Sequence, residues 1–205
     1  MMTNLRKFSR ALTALTLAAT LAAAAPSQAG DDDGCHNPRD RKGWLVGFNV
    51  GSGSSSYGAS VGSRTYTEDA FNGSYGSLRG GYAFSNAFAV TLEGVGVGAS
   101  EGERDWGMGA GLVAVTWWPA GSGFFVRGGL GVGGGEMLLR ESGEAVEFDG
   151  KGAGLFGIGY EWQVGRNFAL GLAADGFGFE VEGLNGETDA FVSTGSFSIQ
   201  FNWYL

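Results

Sequence analysis

Six charged residues stand singly in otherwise uncharged, alternating stretches of the chain: Arg79, Glu93, Arg127, Lys151, Glu161 and Asp175. Three cations and three anions spaced in this way suit either of two roles. Buried together they neutralise one another as ion pairs; lining a channel they select what passes. The paired, structural network is the preferred reading, because opposite charges at similar depth in a narrow interior lower each other's energy. Acid–base catalysis has less to work with. The usual base for activating a hydroxyl or a water at neutral pH is histidine, and the only one, His36, lies in a polar stretch ahead of the first strand. No catalytic residue is assigned, and an enzyme is not expected.

Carboxylates cluster elsewhere, at Glu101, Glu103, Asp105, Glu136, Glu141, Glu144, Glu147, Asp149, Glu180, Glu182, Glu187 and Asp189. Oxygen ligands suit Ca²⁺ and Mg²⁺, but aspartates at a fixed loop spacing around a central glycine do not occur. These carboxylates read first as solvated loops and second as a surface for a basic partner. Strings such as Gly128-Gly129-Leu130-Gly131 lack the strand–turn–helix setting of a phosphate loop. Neither metal nor cofactor is expected.

The same acidity bears on partners. Residues 1–29 read as a Sec-type signal peptide, with Arg6, Lys7 and Arg10 before the apolar run Ala11–Ala25 and a small-residue cleavage site at Ser27-Gln28-Ala29. They hold three of the 13 basic residues and none of the 21 acidic ones, which leaves a mature net charge near −11. Nucleic acid is an unsuitable partner for such a surface. Residues 30–42 form a polar leader that carries the single Cys35, so no internal disulfide can form.

The elements that must position the six charges are strands. Eight candidates are legible: Gly43–Gly51, about Ser74–Phe84, Phe88–Gly98, about Trp106–Trp118, Phe124–Gly133, Lys151–Gln163, Phe168–Phe179 and Gly195–Leu205. The last is the clearest, with Phe197, Ile199, Phe201, Trp203 and Leu205 alternating against Ser198, Gln200, Asn202 and Tyr204. Short turns at Ser85-Asn86-Ala87, Pro119–Gly123 and Gly165-Arg166-Asn167 alternate with longer loops at about 52–73, 99–105, 134–149 and 180–190. Aromatic residues flank the short turns and the strand termini: Trp44, Phe84, Phe88, Trp117, Trp118, Phe124, Trp162, Phe168 and Trp203. Rings at that position form the interfacial girdle of a membrane barrel. The predicted fold is an all-β, eight-stranded, antiparallel up-and-down transmembrane barrel over residues 43–205. Its 40 glycines then relieve crowding where strands curve around a narrow interior.

A soluble, lipocalin-like binding barrel gives the same alternation with its faces exchanged. The small polar face argues against it: about one charge per strand, among Gly, Ala and Ser, is too few for a face turned to water.

On these grounds the chain resembles the small outer-membrane barrels of the OmpA and OmpX type, over residues 43–205. The resemblance rests on strand count, on the asymmetry of short turns and long loops, on the girdle, and on the terminal strand Gly195–Leu205. Such a strand is similar to the signal read by the barrel-assembly machinery, although Leu205 ends it where that family has an aromatic. The resemblance implies a Gram-negative outer membrane, contact with lipid bilayer and lipopolysaccharide, both termini in the periplasm, and a monomer. It also implies a non-enzymatic structural or loop-display role, since the barrel enzymes of such membranes resemble one another in needing a catalytic histidine. A narrow pore for small solutes is the alternative. No cell-wall-binding domain follows the barrel, so a tether of that kind is not implied.

Overall fold

Alternation of side chains across extended backbone, period two, dictates a sheet with one apolar and one polar face. The computed structural model describes residues 41–61, 64–67, 71–102, 104–140, 142–143, 145–182 and 189–205, all within one compact unit that spans Pro38–Leu205. The signal peptide, His36, Cys35 and leader residues 30–40 lie outside the described residues, as do Glu103, Glu141, Glu144 and Glu187.

Nine strands follow one another: β1 Gly43–Val61, β2 Arg64–Thr67, β3 Phe71–Ala83, β4 Phe88–Glu101, β5 Arg104–Trp117, β6 Phe124–Leu139, β7 Ala145–Gln163, β8 Phe168–Glu182 and β9 Asp189–Tyr204. Among the described residues, β2 pairs only with the distal part of β1. The other eight form a closed, all-antiparallel, up-and-down barrel, sealed where β1 pairs with β9 from Leu45↔Tyr204 to Ala59↔Ala190. Closure leaves no unpaired strand edge among these eight. No helix is long and apolar enough to cross a membrane among the described residues.

One end of the barrel holds the short turns 84–87, 118–123 and 164–167 together with both chain ends of the wall, where Trp44 N–H donates to Leu205 O at 3.0 Å. This is the turn end; the other is the loop end. Strands run further toward the loop end than alternation indicated. β1 continues ten residues past Gly51 to Val61, and β6 and β7 advance to Leu139 and from Ala145. Segments read as loops 52–73 and 134–149 are therefore largely paired strand. Their Gly and Ser carry no alternating pattern, and backbone pairing alone extends them.

The interior is layered. Toward the turn end, Leu45, Ala83, Ala89, Trp118, Phe125, Ala169, Ala173 and Tyr204 pack together. Charged and amide side chains occupy the middle. Toward the loop end lies an apolar core that includes Phe71, Tyr75, Val95, Val97, Met108, Leu112, Leu155, Phe177, Phe179 and Val192. A small polar filling was expected throughout, so the large apolar filling of the loop-end half corrects that expectation.

Candidate functional site

Inward positions of β3, β4, β6 and β8 bring Arg79, Glu93, Arg127 and Asp175 to one depth, each nearly inaccessible to solvent. Register makes this possible: Arg79 lies opposite Glu93, and Gly157 of β7 lies opposite both Arg127 and Asp175. A Cβ on Gly157 would stand 2.1 Å from Asp175 Oδ1, so glycine leaves the carboxylate its room. Glu93 Oε1 takes Arg127 Nη1 at 3.4 Å and Arg79 Nε at 3.6 Å, while Arg127 Nη2 pairs with Asp175 Oδ1. Two cations and two anions thus neutralise one another. Neutral donors and acceptors join the layer: Arg79 donates to Gln200 Oε1 at 3.0 Å and to Asn49 Oδ1 at 2.5 Å, and Tyr75 OH donates to Asp175 Oδ2 at 3.4 Å.

Glu161 lies a step nearer the turn end and has a partner that sequence reading missed. Arg41, assigned to the polar leader, is buried inside the barrel with its Nε 2.9 Å from Glu161 Oε1. Its guanidinium also donates to Ser122 O at 3.0 Å and to Asn86 O at 3.3 Å, and lies 4.9 Å over the Trp118 ring. Glu161 accepts further bonds from Tyr204 OH at 2.9 Å and Asn202 Nδ2 at 2.6 Å. Gln200 joins the two layers, donating to Glu161 at 3.3 Å while accepting from Arg79. No periodic signal marks Arg41, because it precedes the first strand, and three cations against three anions left no carboxylate visibly short of a partner.

Two assignments need correction. Lys151 is exposed rather than interior. Gly150 faces Val181 and Ala153 faces Phe179, so Lys151 and Gly152 oppose a single residue in a β-bulge that turns the lysine out of the wall. Trp118 is 1% exposed and points inward. Consecutive strand residues face opposite sides, and Trp117 takes the outer one. The remaining aromatics lie on the outer surface near the turn end: Trp44, Phe84, Phe88, Trp117, Phe124 and Trp162 are exposed, and Phe168 and Trp203 half-buried against one another at 5.0 Å. Above them Val50, Leu92, Val113, Leu130, Val132, Phe156, Ile158, Leu172, Phe197 and Ile199 continue an exposed apolar belt around the wall.

At the loop end Asp105 is clasped by Arg140, whose Nε donates to Oδ2 at 2.8 Å, and by Ser100 Oγ at 2.7 Å. These bonds, Arg140's first, hold the carboxyl at about 2, below its ordinary range. No group of three or more His, Cys, Asp or Glu could hold a metal ion among the described residues.

No protein-family model matches the chain, and no curated protein matches it. Among solved structures, the barrel is similar to Neisserial surface protein A at 13% identity and a TM-score of 0.54, covering 77% of this chain and 97% of that one. The attachment invasion locus protein Ail of Yersinia pestis is 15% identical over 79% of this chain and 99% of its own, with a TM-score of 0.49. The outer membrane protein OprG of Pseudomonas aeruginosa is 14% identical over 82% and 99%, with a TM-score of 0.44. At such identities the likeness is one of architecture: the fold is that of the small eight-stranded outer-membrane barrels.

Proposed function

We propose that this chain is a non-enzymatic protein of a Gram-negative outer membrane, a plugged barrel that supports the bilayer and displays its loop end for surface interaction. The exposed apolar belt carries this reading. Leu130 at 77% exposed, Phe197 at 74% and Leu92 at 69% are large apolar side chains with no protein cover, and only acyl chains solvate such a ring favourably. Trp44, Phe84, Phe88, Trp117, Phe124, Trp162, Phe168 and Trp203 then form the girdle at one membrane face, with aromatic rings at headgroup depth. Bilayer lipid and lipopolysaccharide are the partners of the outer wall.

The turn end and both ends of the wall face the periplasm, reached by export through residues 1–29. The barrel-assembly machinery engages β9, whose alternation from Phe197 to Leu205 suits it. The barrel acts as a monomer, because closure by β1 and β9 leaves no edge that needs a neighbour. Arg79, Glu93, Arg127, Asp175, Glu161 and Arg41 serve as structural filling. Opposite charges paired across the lumen remove the free charge that a conducting path would use.

Planar-bilayer recording of the purified protein tests the plugged reading. An electrically silent barrel is expected; reproducible discrete channels would instead make it a narrow pore for small solutes.

A further inference from the structure

Along each wall strand the outer face changes character partway up, and the inner face changes the opposite way at nearly the same height. On β4 the outward Phe88, Val90 and Leu92 give way to Gly94, Gly96 and Gly98, while the inward Thr91 and Glu93 give way to Val95 and Val97. On β8 the outward Phe168, Leu170 and Leu172 yield to Ala174, Gly176 and Gly178; inside, Asp175 yields to Phe177 and Phe179. β7 repeats the switch, with Ile158 and Phe156 followed by Gly154 outside and Glu161 followed by Leu155 inside. Outward β5 passes from Val115 and Val113 to Gly111 and Gly109. Toward the turn end, then, the wall is apolar outside and polar inside, as lipid requires. Toward the loop end it is small or polar outside and apolar inside, as water requires.

We infer that acyl chains cover only the turn-end half of the wall, and that the loop-end half stands clear of the hydrocarbon as a water-exposed turret with its own apolar core. The inference rests on the outer-membrane reading above. Dimensions agree with it. At roughly 3.3 Å per residue and a tilt of about 40°, each strand residue adds about 2.5 Å of height. The 16 residues of β9 therefore rise about 40 Å, against an apolar band of about 25 Å in such barrels. On β9 the unbroken outward run of large apolar residues, Trp203 to Phe197, spans about 15 Å on the same scale, and Gly195 and Ser193 separate it from the exposed Phe191 nearer the loop end. Exposed polar groups lie beyond the switch and not below it on the neighbouring strands: Asn72, Ser74 and Ser100 toward the loop end, and the Asp105–Arg140 clasp beside them. The outer surface of the turret offers mainly glycine, serine and asparagine to the saccharide layer, although Phe191 of β9 also stands exposed there.

Single-cysteine variants of the full-length chain in a Cys35→Ser background test this in outer-membrane vesicles, with a membrane-impermeant maleimide as probe. Gly98→Cys, Gly152→Cys and Gly195→Cys lie above the switch. At Gly152 and Gly195 a Cβ meets nothing within 4 Å, and at Gly98 the nearest atom is 3.8 Å away. Leu92→Cys, Ile158→Cys and Leu172→Cys lie in the belt. Because the thiolate is the reacting form and hydrocarbon suppresses it, the glycine positions should label at least about tenfold faster than the belt positions. Shielding of the glycine positions to the level of Leu172→Cys would overturn the turret and leave the membrane reading standing. Fast labelling of all six, in protein whose heat-dependent gel mobility reports an intact barrel, would overturn the membrane reading itself.

Discussion

Arg127 stands between two carboxylates, Glu93 and Asp175, and no other cation reaches Asp175 among the described residues. Replacing it by Met would leave a buried carboxylate without its counter-charge. Loss of one member of a buried pair costs about 3–5 kcal/mol, so Arg127→Met should lower the urea midpoint of the refolded barrel accordingly. An unchanged midpoint would mean that the layer is hydrated and dispensable. Asp105 makes a different prediction, because it lies at the loop end where solvent reaches it. Its carboxyl is held at about 2 rather than 3.8, chiefly by Arg140. A depressed value means that the clasp stabilises the fold above 3.8 and is lost as pH falls through about 2. A carboxyl NMR titration should find Asp105 ionised between those values, and a midpoint at 3.8 would contradict the clasp. Residue by residue, legibility followed the strand period. Arg79, Glu93, Arg127, Glu161 and Asp175 stood at inward positions of regular alternation, so their burial could be read directly. Arg41 precedes the first strand, Trp118 stands where β5 runs into a turn, and Lys151 occupies a bulge. At each of these the period that carries the inference is broken.

Strands were legible where large apolar residues alternate with small ones, and illegible where both faces are small. Ser52 to Ser55 of β1 illustrate the second case: they pair with both β3 and β9, yet nothing in their side chains marks a strand. Their hydrogen bonds come from neighbours whose own patterns are stronger. The inward filling of the loop-end half shares the parity of the buried charges: Val95 and Val97 follow Glu93 on β4, and Phe177 and Phe179 follow Asp175 on β8. Glycine acts at this scale as spacing between strands. Gly157 opposes Asp175 on β8 and leaves room for its carboxylate, so Gly157→Val should push β7 away from the ion-pair layer. Overpacking of this kind costs about 1–3 kcal/mol. A denaturation midpoint equal to that of the parent protein would show that β7 and β8 adjust freely around the carboxylate.

For the whole molecule, closure is the governing fact. β1 has β3 on one side and β9 on the other, so the eight-stranded wall holds together only when the two ends of the chain have met. Long-range pairing of this sort makes unfolding cooperative, and a barrel whose outer face is solvated by detergent or lipid keeps its backbone bonds away from water. Detergent alone therefore should not open it, whereas heating should. The gel mobility of protein taken from the outer-membrane fraction, boiled and unboiled, tests the central claim most directly. A folded membrane barrel predicts two positions, with the unboiled band converting to the other on heating. A soluble periplasmic protein with one heat-independent position would contradict the account, and the apolar belt would then have to face inward as in a lipocalin-like binder.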